Sequence, residues 1–215
     1  MGDAIDIACL CWIAPARQRS TKFAARISSG HAKLLAGAAG LHGDGDLAPG
    51  MSLFEIADGP GNLTQPMRAQ FEAFLDEHRR ALNGCLDGVT EEQARRSLVP
   101  SRTTLLGLVK HATFVEKVWF DEAVTCRPRA EIGIPATPDE SFILDDNDTI
   151  ATVQQAHREA CQSSRRATSS LGLDGILRGN RRGPLPLRWV YLHMLRELAQ
   201  HCGHADILRE QLLHQ

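Results

Sequence analysis

Near its C-terminus the chain reads Arg196-Glu197-Leu198-Ala199-Gln200-His201-Cys202-Gly203-His204, with Glu197 and His201 four residues apart. On a helix that spacing stacks the two side chains on one face. A carboxylate and an imidazole placed in this way are donors that a helix can offer to a divalent metal. Met194, Leu198, Ala205 and Leu208 flank the same line, so the pair borders an apolar stripe. A carboxylate beside such a stripe is costly unless it is paired or bound to a cation. His204, seven residues after Glu197, lies on the same side, as an extra ligand or as a partner to one. Cys202 is turned away by one residue and is expected to pack. The spacing alone also occurs by chance on surface helices, so it needs support from elsewhere in the chain.

A second candidate is His111, in line with Leu108, Val115 and Val118. It therefore points into the protein interior or its rim. Taken alone, a histidine in such a stripe is more often a core residue with one hydrogen bond than a metal ligand.

The elements that must position these residues are helical. Thr64 is placed to cap a first helix whose apolar line is Met67, Phe71, Phe74, Leu75, His78, Leu82 and Leu86, ending at Asn83-Gly84 and Asp87-Gly88. Thr90-Glu91-Glu92-Gln93 is a capping box for a short helix to about Arg96. A second long helix starts near Thr103, with Leu105, Leu108, Val109, Ala112, Val115, Val118 and Trp119 as its buried stripe. Residues 125–147 hold Pro128, Pro135 and Pro138 and cannot be helical throughout. A third helix is expected from about Thr149 to Leu171, capped by Asp148 and stopped by Gly172. A loop at residues 179–184 precedes a last helix from Pro186 to about Leu213. Four long amphipathic segments and no convincing strand run predict an all-α four-helix bundle with a long loop between helices 2 and 3.

The bundle is expected to occupy residues 60–215. Residues 1–59 show no sustained period: a run of Arg17, Arg19, Lys22, Arg26 and Lys33 without an acid, then a Gly- and Ala-rich stretch. They read as a mobile, poorly structured N-terminal extension or a mis-assigned start. Protein beginning at Met51 is therefore expected to melt at an unchanged temperature. A signal peptide is disfavoured, because Asp3 and Asp6 precede the apolar stretch at residues 7–14 without a basic residue. Asp6 also stands where a myristoylation motif wants Ser or Thr.

Composition narrows the partners. A formal net charge of -2 and only 5% aromatic residues argue against nucleic acid. No apolar run reaches the ~18 residues that would suggest a membrane span. Six scattered cysteines without C-x-x-C spacing read as reduced thiols in a cytoplasmic protein.

The stretch Leu105-Leu106-Gly107-Leu108-Val109-Lys110-His111, followed by Phe114-Val115-Glu116 and Trp119-Phe120, resembles the second helix of the DinB-like (DinB/YfiT-type) superfamily. The stretch Leu187-Arg188-Trp189-Val190-Tyr191-Leu192-His193-Met194, then Glu197 and His201-Cys202-Gly203-His204-Ala205-Asp206-Ile207-Leu208-Arg209-Glu210, is similar to its last helix. The likeness is to the domain-of-unknown-function branch that includes the mini-circle protein, and covers residues 68–213. It implies a four-helix bundle holding a metal on one His of the second helix and two ligands four apart on the last. Those two are Glu and His in mycothiol-dependent maleylpyruvate isomerases, the version found here. The resemblance thus implies His111, Glu197 and His201 as ligands, and leaves His204 where other members often carry Gln.

Two neutral imidazoles and one carboxylate suit zinc and leave a coordination position open. The same set serves iron, so zinc is expected, with nickel or iron as alternatives. The function implied is activation of a thiol such as mycothiol for transfer or isomerisation. A metal hydrolase using bound hydroxide and a non-catalytic, metal-binding stress-response protein are the other readings. Residues 125–147 and the turn at Arg181 and Arg182 are expected to shape the substrate mouth, with Arg188 and Trp189 as further candidates. A small-molecule substrate and a thiol are the expected partners, and a homodimer is allowed.

Overall fold

The computed structural model describes residues 64–214. The expectations for residues 1–59, including Cys9, Cys11 and the start at Met51, lie outside the described residues. Helices dominate the rest, in the order α1 Met67–Gly84, α2 Glu91–Arg95, α3 Leu105–Glu116, a π-helical turn Lys117–Glu122, α4 Ala123–Thr125, α5 Arg129–Ile132, a 3-10 turn Asp139–Phe142, α6 Ile150–Thr168 and α7 Leu187–Leu213. The four long helices α1, α3, α6 and α7 pack as a bundle, with α1 against α7 and α3 against α6. Among the described residues no helix is long and apolar enough to cross a membrane.

Capping chemistry sets most boundaries. Thr90 and Gln93 form the reciprocal box that starts α2, and the Thr104 hydroxyl accepts the Gly107 N–H at the start of α3. Two expected caps differ. α1 begins after Pro66 with no side-chain cap, so Thr64 plays no such part. α6 is capped by Thr149, whose hydroxyl accepts the Thr152 N–H. Asp148 instead accepts the Lys110 ammonium and the Asp145 N–H, which ties the loop to α3. α6 ends at Thr168, short of Leu171. A two-residue antiparallel pair, Ile176–Leu177 (β1) with Leu185–Pro186 (β2), was not expected; each strand is too short to show alternation.

The core is built on Leu75, Leu82, Leu86, Leu105, Leu108, Phe120, Met194 and Leu198, all fully buried. On α1, Phe74 and Met67 stand exposed although the apolar line predicts them buried. Between the same helices lies a buried polar network. Arg79 donates to both Glu116 carboxylate oxygens, at 2.7 and 2.8 Å, and the Ser164 hydroxyl donates to Glu116 at 2.7 Å. Burial alone would lower the Arg79 pKa, but the Glu116 carboxylate overrides it and keeps the guanidinium charged.

Beside that network, His157 is 1% exposed. Its Nδ1 accepts from Asn83 at 3.2 Å, so Nε2 carries the proton and faces Cys161 Sγ at 3.6 Å. Burial pushes its pKa down to about 4. Unfolded, His157 takes up a proton near pH ~6.5, whereas folded it stays neutral until about pH 4. Stability is therefore expected to decline as pH falls through that window, by about 1.4 kcal/mol per unit for one proton. His157→Gln should flatten the pH dependence of the urea-unfolding free energy between about pH 6.5 and 4.5 by that amount. An unchanged slope would show that His157 does not titrate in this way.

The π turn follows directly from Glu116. It buries three consecutive residues, Val118, Trp119 and Phe120. Phe120 lies under the Arg79 guanidinium, at 5.7 Å, while Trp119 turns toward α7. Gly179 presses on the end of this turn. Its N–H donates to Ala123 O at 3.0 Å, and an added Cβ would sit 1.9 Å from Glu122 O. Gly179→Ala should therefore cost about 2 kcal/mol, as overpacking against backbone does, and lower Tm by about 4–8 °C in a domain of this size. Calorimetry showing no change would mean that the segment yields freely.

Candidate metal centre

The site forms where the middle of α3 faces the middle of α7. α3 supplies His111 and α7 supplies Glu197 and His201, one turn apart. One ligand atom from each of these three residues lies within 4.8 Å of the others. Glu197 Oε1 is 3.3 Å from His201 Nε2 and 3.9 Å from His111 Nε2. His111 and Glu197 are buried, and His201 is half-buried.

The loop between α3 and α6 completes the surroundings of His111. The 3-10 turn brings Ser141 Oγ to 2.7 Å from His111 Nδ1. The Ser141 hydroxyl donates to Pro138 O, so it accepts from Nδ1–H and leaves the Nε2 lone pair facing Glu197. Phe142 stacks on the same ring at 4.2 Å, and the ring meets His201 edge-on at 4.9 Å. Lys110 holds the loop in place by donating to Ile143 O and Asp148. Neither Ser141 nor Phe142 falls in a periodic segment, so the sequence gives no signal for them.

Electrostatics match the donor set. Burial lowers the His111 pKa, so the imidazole is neutral at pH 7. A buried carboxylate with imidazoles around it, one of them tautomer-locked to present a lone pair, fits a divalent cation.

The other candidates separate. His204 is exposed, with its ring 5.9 Å from that of His201, and stands outside the three-residue cluster. Trp189 stacks on His193 at 5.1 Å and an interplanar angle of 9°. The Arg182 guanidinium lies over the Trp189 ring at 5.9 Å. Arg181 is exposed in the turn beside it. Arg188 points elsewhere and pairs with Asp174 at the base of the small hairpin. His193 is buried one turn before Glu197 and touches Trp119 at 4.4 Å. Its signal was present: residues 193, 197 and 201 form a four-residue ladder on one helix.

No curated protein and no solved structure matches the chain. A family model described as Mycothiol-S-transferase matches residues 70–213, two thirds of the chain, including both helices that carry the site. The chain therefore belongs to the mycothiol-S-transferase family, a DinB-like family.

Proposed function

We propose that the protein is a divalent-metal-dependent transferase acting on a low-molecular-weight thiol of the mycothiol type, with His111, Glu197 and His201 as the metal ligands. The observation that carries this reading is the convergence of those three donors inside the family-matched region. A cation held there would bind a thiol as thiolate, because it lowers the pKa of the group bound to it. A free thiol, with a pKa of ~8.5, is only slightly ionised at pH 7.

The chain's own groups do the rest. Ser141 holds His111 in the tautomer that presents Nε2. Glu197 supplies one negative charge and the two imidazoles supply none, so the site keeps a net positive charge for an incoming anion. His204 stays outside the ligand set, which leaves three protein donors, as in catalytic rather than closed structural zinc sites. Zinc suits this set best, with nickel or iron as alternatives. Trp189 and Arg182 form a wall beside His193, where the guanidinium can meet an anionic part of the acceptor substrate. The Glu and His pair on the last helix further likens the site to the mycothiol-dependent maleylpyruvate isomerases, and the cytoplasm supplies reduced thiol.

The test is turnover of an electrophilic acceptor with mycothiol, bacillithiol or glutathione, run beside metal analysis. Turnover with mycothiol that scales with metal content is expected. Fully metallated protein that is inactive with every thiol would overturn the reading.

A further inference from the structure

The ring of His193 is buried against two tryptophans, yet one of its nitrogens has nothing to bond. Arg196 Nη2 lies 2.9 Å from His193 Nδ1. A guanidinium can only donate, so Nδ1 accepts and the ring proton resides on Nε2. That Nε2 is buried without a hydrogen-bond partner among the described residues. It faces Glu197 Oε2 at 4.0 Å, and the residue is 3% exposed. Trp189 stacks on the ring and Trp119 packs against it at a tilt, so the buried ring has little room to turn to another acceptor.

Glu197 is thereby divided. Its Oε1 is the oxygen near His111 and His201, whereas its Oε2 lies on the His193 side. A donor held beside the outer oxygen of a ligand carboxylate is how metal ligands are oriented, and at 4.0 Å a small shift of either side chain brings the His193 N–H within hydrogen-bond reach of Oε2. We propose that Arg196 and His193 form a positioning relay for Glu197, in which the His193 Nε2–H steers Oε2 so that Oε1 alone is presented to the cation. This inference rests on the metal-binding reading above. It assigns work to two residues outside the ligand set. Both lie on α7 with Glu197, so the relay is built into a single helix.

The experiment is Co²⁺ titration of the full-length, metal-stripped protein, followed by the visible absorption of bound Co²⁺, for wild type, His193→Phe, His193→Gln and Arg196→Leu. Phenylalanine keeps the aromatic stack and removes the donor. Glutamine places an N–H near the original Nε2. Arg196 is exposed, so its replacement leaves the fold intact. His193→Phe should bind Co²⁺ at least about tenfold more weakly, the usual cost of losing such a partner, and shift the absorption bands. His193→Gln should recover most of the affinity. Arg196→Leu should weaken binding less than His193→Phe, since it frees the tautomer without removing the ring. Wild-type affinity and spectrum in His193→Phe would overturn the relay. If that variant fails to fold, wild-type behaviour in Arg196→Leu overturns it instead. Failure of the underlying reading looks different: wild type would bind no Co²⁺, or His111→Ala would bind it as tightly as wild type.

Discussion

His111→Ala should abolish metal retention and thiol-dependent turnover together. His111 is the sole donor that α3 gives to the cluster, and the other two share one helix face. Two donors from a single helix do not enclose a cation, so the loss should be close to complete. Changes at Glu197 are graded. Glu197→Ala removes the one negative charge and should weaken retention more than it moves any pH optimum. Glu197→His keeps a donor but leaves a site charge of two, which pulls harder on a bound thiolate. That lowers the thiol's pKa and its nucleophilicity together. His204→Ala should leave metal content intact and alter the rate only modestly. Metal content and turnover measured on the same preparations check all four. Turnover surviving in metal-free His111→Ala protein would sink the mechanism.

The largest expected effect on stability comes from Glu116→Ala, which should cost about 3–5 kcal/mol, as breaking a buried ion pair does. Glu116 is fully buried and receives hydrogen bonds from Arg79 on α1 and Ser164 on α6. Its loss leaves the buried Arg79 guanidinium charged, with Asp76 at 3.0 Å as its remaining carboxylate partner among the described residues. The double variant Arg79→Met, Glu116→Leu removes both charges and should regain most of the loss. Urea unfolding of the three proteins measures this directly. A single variant within about 1 kcal/mol of wild type would mean that the pair behaves like a surface salt bridge. Because Glu116 leads into the π turn that carries Trp119, the single variant should also change tryptophan fluorescence.

The helices were legible in the sequence because periodicity reports burial, and four long amphipathic runs leave little choice of architecture. Glu197 and His201 were legible for a related reason: both lie on one helix, where spacing alone fixes a shared face. His111 was less so, since its partners are across the bundle and only resemblance joined it to them. Ser141 and Phe142 were not legible, because an irregular loop has no period and its path depends on tertiary contacts such as Lys110 with Ile143 O. The buried Arg79–Glu116 pair was missed because charges in a helical pattern normally mark the solvent face. The π turn was missed because it differs from α-helix by a change in hydrogen-bond register that leaves no mark in composition. Arg188, grouped with Arg181 and Arg182 by sequence proximity, pairs with Asp174 because the first turn of α7 points it toward the hairpin.

In the proposed mechanism thiol binds at the cation held by His111, Glu197 and His201. X-ray absorption at the zinc edge, on zinc-loaded protein before and after addition of mycothiol, tests it most directly. Nitrogen and oxygen neighbours at about 2.0–2.2 Å are expected in the free protein, and a new sulfur neighbour at about 2.3 Å once thiol is added. A zinc environment that stays free of sulfur at saturating mycothiol would contradict it.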